Sequence, residues 1–144
     1  MALTALWTHG NAVIPERPDL LEEVSRFGFG TQVRMKPHTE QWFHVPMPSP
    51  VFLNGHRPKL LRVIILARSD SVNIRKVHIF DGNDRQRERL VAIGGEKLSF
   101  NPDSVVDAAN LEVFKGLGIS MFLDNSTIPT SQSFFFGSFG ADWE

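Results

Sequence analysis

Turn-forming residues interrupt this chain at a cadence that favours short strands over long helices. Gly28-Phe29-Gly30, Pro37-His38, Asp81-Gly82-Asn83-Asp84, Gly94-Gly95, Asn101-Pro102, Gly116-Leu117-Gly118 and Asp124-Asn125-Ser126-Thr127 punctuate it. Glycine adopts backbone conformations closed to other residues, proline removes a donor, and Asn and Asp bond their own backbone. Between the breakers lie strand-length segments at Thr4–Trp7, Val24–Phe27, Thr31–Met35, Trp42–Val45, Arg87–Val91, Leu111–Phe114, Ile119–Leu123 and Ser133–Phe139. The pattern predicts an all-β fold: a single antiparallel β-sandwich over residues 1–144, with a jelly roll as one arrangement of it. A chain of 144 residues can bury a core without a metal or disulfide staple and is short for two full domains.

The run Lys59–Arg68, with Val63, Ile64 and Ile65 at its centre, reads as a central strand. Ser69-Asp70-Ser71 then reads as a hairpin turn, pairing this strand antiparallel with Val72–Phe80. In that second strand, alternation places Val72, Ile74, Lys76, His78 and Phe80 on one face and Val77 and Ile79 on the other. Alternation likewise sends Phe135 and Phe139 to one side of the last strand and Phe134 and Phe136 to the other. A strand that is aromatic on both faces belongs at a sheet centre or under another subunit. Asp19 with Glu22 three residues on resembles a helix start that Gly28 would cut short, and Asp103–Phe114 reads either as a helix or as a loop feeding a strand. Pro46–Pro58 is expected to be an ordered connection between sheets, anchored by Val51, Phe52 and Leu53.

The chemistry is narrowed by what is missing. No Cys means no disulfide, thiolate nucleophile, iron–sulfur cluster or thiolate zinc site, and no Tyr means no phenol. A net charge of −1 argues against generic nucleic-acid binding. That total conceals segregation: residues 57–89 hold nine Lys/Arg against four Asp/Glu, and residues 90–144 hold two against seven. The opposite excesses attract each other within the domain or across a homo-oligomer. No stretch reaches the length of a membrane span and no signal peptide is evident, so the chain as written reads as soluble, with its compartment open.

Among candidate site residues, Trp42 and His44 share one strand face while Phe43 and Val45 point into the core. Trp42 or Trp7 supplies a planar apolar surface for a sugar or small organic molecule. His9, Glu40, His44, Asn54, His56 and Arg57 supply directional polar contacts, with the Asn54–Arg57 loop adjoining the Trp42 strand. Arg85, Arg87 and Arg89 would form an anion-binding stripe on one strand face. No cofactor is predicted. Structural calcium at Asp81–Asp84 is one metal option, although the loop lacks EF-hand spacing; a centre assembled after folding from His9, His38, His44, His56 or His78 with Glu or Asp is another, although no pair has diagnostic spacing. Nucleophile-elbow and phosphate-loop motifs are absent from the sequence.

Trp7-Thr-His-Gly10, Arg26-Phe-Gly-Phe-Gly30, Trp42-Phe-His-Val-Pro-Met-Pro-Ser-Pro50, Arg57-Pro58, Val77-His-Ile-Phe-Asp-Gly82 and Gly116-Leu-Gly-Ile-Ser120 together resemble a family of small uncharacterised bacterial proteins. The resemblance spans nearly the whole chain. It implies a β-sandwich and brings no activity or functional residue with it. The expected function is a noncatalytic binding or structural module contacting a glycan, a small molecule or a protein. Two other classes fit the same residues: a small enzyme pairing a histidine with a carboxylate, and a β-barrel enclosing an apolar ligand behind Phe135 or Phe139.

Overall fold

The computed structural model describes residues 3–144. Among the described residues twelve strands follow one another: β1 (Thr4–His9), β2 (Ile14–Pro15), β3 (Leu21–Phe27), β4 (Gly30–Met35), β5 (Thr39–Pro46), β6 (Lys59–Ser69), β7 (Ile74–Asp81), β8 (Asp84–Ile93), β9 (Glu96–Lys97), β10 (Val105–Glu112), β11 (Leu117–Asn125) and β12 (Gln132–Trp143). They form an antiparallel β-sandwich. The seven-stranded sheet runs β10-β6-β12-β4-β3, with β1 beside β12 and β9 beside β6; the five-stranded sheet runs β2-β5-β11-β7-β8. Among the described residues no helix is long and apolar enough to cross a membrane.

Two segments expected to be ambiguous are single turns of 3₁₀ helix. Pro18–Leu20 leads directly into β3 in place of the helix expected from Asp19, and Pro102–Ser104 leads into β10. The β6 run is a central strand as expected, between β10 and β12. Its pairing with the next strand is not formed. β7 lies in the other sheet, between β11 and β8. Val72 is fully buried, so the connection turns inward across the sandwich instead of reversing in the plane of the sheet. A register shift after Ile74 also moves that side chain into the core with Val77 and Ile79, leaving Lys76, His78 and Phe80 on the outer face.

β12 occupies the middle of the large sheet, as a strand with two aromatic faces requires. A bulge between Phe136 and Ser138 changes the expected alternation: Phe134, Phe136 and Phe139 all point inward and Phe135 outward. Phe136 is the hub of the core. Its ring lies 4.8 Å from Phe134, 6.1 Å from Phe139 and 5.2 Å from Phe43 on the opposite sheet. Where the barrel reading expected a chamber behind Phe139, that ring packs in one cluster with Phe134, Phe136 and inner side chains of both sheets. The Pro46–Pro58 connection does pass from one sheet to the other. Of its expected anchors, Leu53 packs against the core, while Val51 and Phe52 are exposed, Phe52 at 68%.

The Gly residues of the two early motifs meet at one place. A Cβ on Gly10 would lie 2.1 Å from the Phe136 carbonyl oxygen, and one on Gly30 would lie 2.4 Å from the same atom. Side chains bind the two segments together. His9 Nε2 donates to the Gly28 carbonyl, Asn11 Nδ2 donates to the Phe27 carbonyl, and Arg26 Nη1 donates to the Asn11 carbonyl. His9 and Gly10 are thus positioning residues of the fold.

Phe136→Ala is expected to cost about 3–5 kcal/mol, because it leaves a cavity at the contact between sheets. Gly10→Ala is expected to cost about 1–3 kcal/mol through overpacking against backbone. Urea unfolding curves check both; a Gly10→Ala midpoint equal to wild type would refute the close-approach account.

Candidate functional site

The outer face of the five-stranded sheet carries an aligned set of chemically distinct side chains. Register places Ile14, His44, Ser120, His78 and Glu88 side by side in a row that crosses all five strands. A neighbouring row holds Trp42, Phe122, Lys76 and Leu90, and the row on the other side holds Pro46, Gly118, Phe80 and Arg85. Alternation explains why these residues face outward while Phe43, Val45, Ile79, Ile119 and Met121 fill the core from the same strands.

The polar groups of the central row are held in fixed orientations. His44 Nδ1 lies 2.7 Å from Ser120 Oγ, and His44 Nε2 lies 3.2 Å from Glu16 Oε2. His78 Nε2 lies 2.8 Å from Glu88 Oε2, which also accepts from Arg85 Nη1 at 3.2 Å. Trp42 stacks beside His78 with ring centroids 4.4 Å apart and beside Phe122 at 5.1 Å, and the His78 and Phe80 rings meet edge to face. Lys76 Nζ lies over the Phe122 ring. The His78 side chain is 14% exposed, whereas His44 is 41% exposed and available at the surface.

An open groove follows these rows. One hollow of about 240 Å³ is lined by Glu16, Trp42, His44, His78, Phe80 and Ser120. It adjoins a larger one of about 640 Å³ through the shared His44, Phe80 and Ser120. The larger hollow extends past Gly118 to Met47 and Asn83. Gly118 presents no side chain to the outer face, which leaves the floor low between Pro46 and Phe80.

Trp42 and His44 therefore stand where the sequence placed them, and Glu40 shares their face, opposite Asp124. The other predicted residues lie elsewhere. Trp7 and His9 belong to β1 in the large sheet, where Trp7 covers Gly140. Asn54 occupies a turn, and His56 and Arg57 line a separate hollow with Lys59, Leu61, Asn110 and Glu144. The Asn54–Arg57 loop thus does not adjoin Trp42. Alternation could have pointed to His78 and Phe80. Glu16 and Ser120 carried no sequence signal, because cross-strand register alone brings them to His44.

The arginine stripe is divided by a bulge. Arg85 pairs with Phe80 on the outer face, whereas Arg87 and Arg89 fall opposite the inward-facing Ile79 and Val77. Arg87 Nε donates to the Ala108 carbonyl and Arg89 Nε to the Asp107 carbonyl, so both tie the edge of the small sheet to β10. The Asp81–Asp84 turn is likewise engaged internally. Gly82, at φ 60°, takes the first central position of a tight hairpin turn. The buried Asp81 carboxylate accepts backbone N–H groups of Phe114, Lys115 and Gly116, and Asp84 pairs with Lys115 Nζ at 2.6 Å. Among the described residues, no three His, Asp or Glu side chains converge as a metal-binding group.

Burial pushes the Asp81 carboxyl upward, but the N–H groups of Lys115, Phe114 and Gly116 outweigh it and hold the group below the usual carboxylate range.

No family model and no curated protein matches this sequence. Among solved structures, the chain is similar to TmCBM61 in complex with beta-1,4-galactotriose, with a TM-score of 0.48 and 14% identity over 93% of this chain and 86% of that one.

Because the folded carboxyl is depressed, its ionisation stabilises the fold above the unfolded-state value and that contribution is lost as pH falls through the folded value. Asp81→Asn is expected to lose about 1–3 kcal/mol at neutral pH, with the gap to wild type closing below about pH 4. Denaturant unfolding at a series of pH values checks this; a gap independent of pH would contradict the charge-based account.

Proposed function

We propose that the groove on the five-stranded sheet is a noncatalytic glycan-binding site. The observation that carries this reading is the Trp42–His78–Phe80 aromatic surface, directly beside the oriented His44, Ser120, Glu16 and Glu88 groups. A pyranose ring presents C–H faces that pack on aromatic surfaces and hydroxyls that both donate and accept. A site for it therefore needs apolar area and polar groups within one ring's width. Here both are present on adjacent rows of one sheet. The histidines and Ser120 can donate or accept, while Glu16 and Glu88 accept from hydroxyls. The groove is elongated, with Trp42 at one end and Asn83 at the other, which suits several sugar units in line.

A hydrolytic reading is favoured by one arrangement: Ser120, His44 and Glu16 are linked in the order of a nucleophile, base and orienting acid. Against it, Ser120 lies in the middle of the regular strand β11, paired with β5 on one side and β7 on the other. Its neighbouring backbone N–H groups are engaged in the sheet and are not gathered to stabilise an oxyanion. The binding reading needs no such donors.

A glycan array followed by calorimetry is expected to show binding of the wild-type domain to neutral oligosaccharides. Trp42→Ala is expected to weaken it by about tenfold or more, and Glu16→Gln to weaken it without moving the unfolding midpoint. Retained affinity in both variants, or no bound glycan for wild type, would exclude this site. Ester turnover that disappears in Ser120→Ala would instead select the hydrolytic reading.

A further inference from the structure

The Phe27-Gly28-Phe29-Gly30 motif forms part of a second constellation, on the outer face of the seven-stranded sheet. Register aligns Ser25, Gln32, Phe135, Arg68 and Glu96 in a row across β3, β4, β12, β6 and β9. Phe27 and Phe29 stack with centroids 5.0 Å apart and planes inclined by 4°, and Phe29 continues to Phe135 at 5.7 Å. Gly30 leaves room for the Phe135 ring: a Cβ on Gly30 would stand 2.5 Å from it. Arg68 lies over the same ring, its guanidinium carbon 5.3 Å from the centroid.

Beside this aromatic wall is a hollow of about 270 Å³ lined by Gln32, Arg68, Ser69, Asp70, Ser133 and Phe135. Its volume is at the small end for ligand sites, which restricts the occupant to about one ring. Its lining combines a guanidinium, a carboxylate, a side-chain amide and two hydroxyls. A site for an anion would present unbalanced positive charge, but here Asp70 opposes Arg68. Arg68 makes no ion pair among the described residues, so its donors remain directed at the surface. The wall is held rigidly, since the His9 and Asn11 side chains fasten the Phe27–Gly28 carbonyls. Phe29 is exposed at the rim, outside the hollow itself, with one side of its ring stacked on Phe27.

We infer that this hollow is a second ligand site, for a single neutral pyranose unit, whose hydroxyls bond Arg68, Gln32 and Asp70 while one edge of the ring meets Phe135. It lies on the sheet opposite the groove and shares no lining residue with it, so it stands or falls independently of the groove reading. With both sites occupied, the domain bridges two glycan segments on opposite faces.

Two-dimensional NMR titration of the full chain with methyl β-galactopyranoside, methyl α-mannopyranoside and galacturonate separates the outcomes. A neutral glycoside is expected to shift the Gln32 amide, Arg68 and Phe135 signals saturably in the millimolar range. The shifts are expected to persist in Trp42→Ala, which removes the groove platform. Arg68→Ala and Gln32→Ala are each expected to weaken them about tenfold, with the remaining spectrum reporting an intact fold. No saturable shift with either neutral glycoside, a response to galacturonate only, or unchanged affinity in both site variants would overturn the inference.

Discussion

The contact between Phe136 and Phe43 is the one on which the rest of the architecture depends. It joins the centre of the large sheet to the β5 strand of the small one, and Phe134 and Phe139 extend it along β12. Apolar area buried there is the main force holding the two sheets together. The backbone at Phe136 is as constrained as its ring, since Gly10 and Gly30 both approach its carbonyl more closely than a Cβ would allow. Two segments separated in sequence thereby close over the same strand, and the hydrogen bonds of His9, Asn11 and Arg26 fasten them to each other.

Fixing the inner faces fixes the outer ones. Because a strand alternates, the burial of Phe43 and Val45 obliges Trp42 and His44 to face outward, and the burial of Val77 and Ile79 does the same for His78 and Phe80. Cross-strand register then sets which outward residues meet. A slip of β11 by one residue would replace Ser120 beside His44 with a core residue and bring apolar side chains to the surface. The site is thus as rigid as the sheet that displays it, which limits the ordering cost of binding. The same logic operates on the other face of the sandwich, where Gly30 leaves room for the outward Phe135 ring and Arg68 lies over it.

Bulges mark the places where simple alternation misleads. The sequence Phe134–Phe139 alternates evenly on paper, yet the bulge after Phe136 adds Phe139 to the core and leaves Phe135 alone outside. In β8 a shift separates Arg85 from Arg87 and Arg89, converting an apparent cationic stripe into one surface ion pair and two ties to carbonyls of β10. The turn after β6 misleads in the same way: Ser69-Asp70-Ser71 has hairpin chemistry, but burial of Val72 carries the chain to the opposite sheet. Local turn residues fix where a strand ends, whereas its next partner follows from which apolar surface remains uncovered.

By itself, the sequence determined an all-β sandwich with β6 as a central strand, two aromatic faces on β12, the connection between sheets at Pro46–Pro58, and the shared face of Trp42 and His44. Those features rest on period, residue type and breakers, which are local. The tertiary structure alone decided that Glu16 and Ser120 flank His44, that His78 stacks on Trp42, and that Trp7, His56 and Arg57 lie apart from them. Register between strands distant in the chain controls these neighbours. Register depends on the packing of the whole core, and no single segment encodes it.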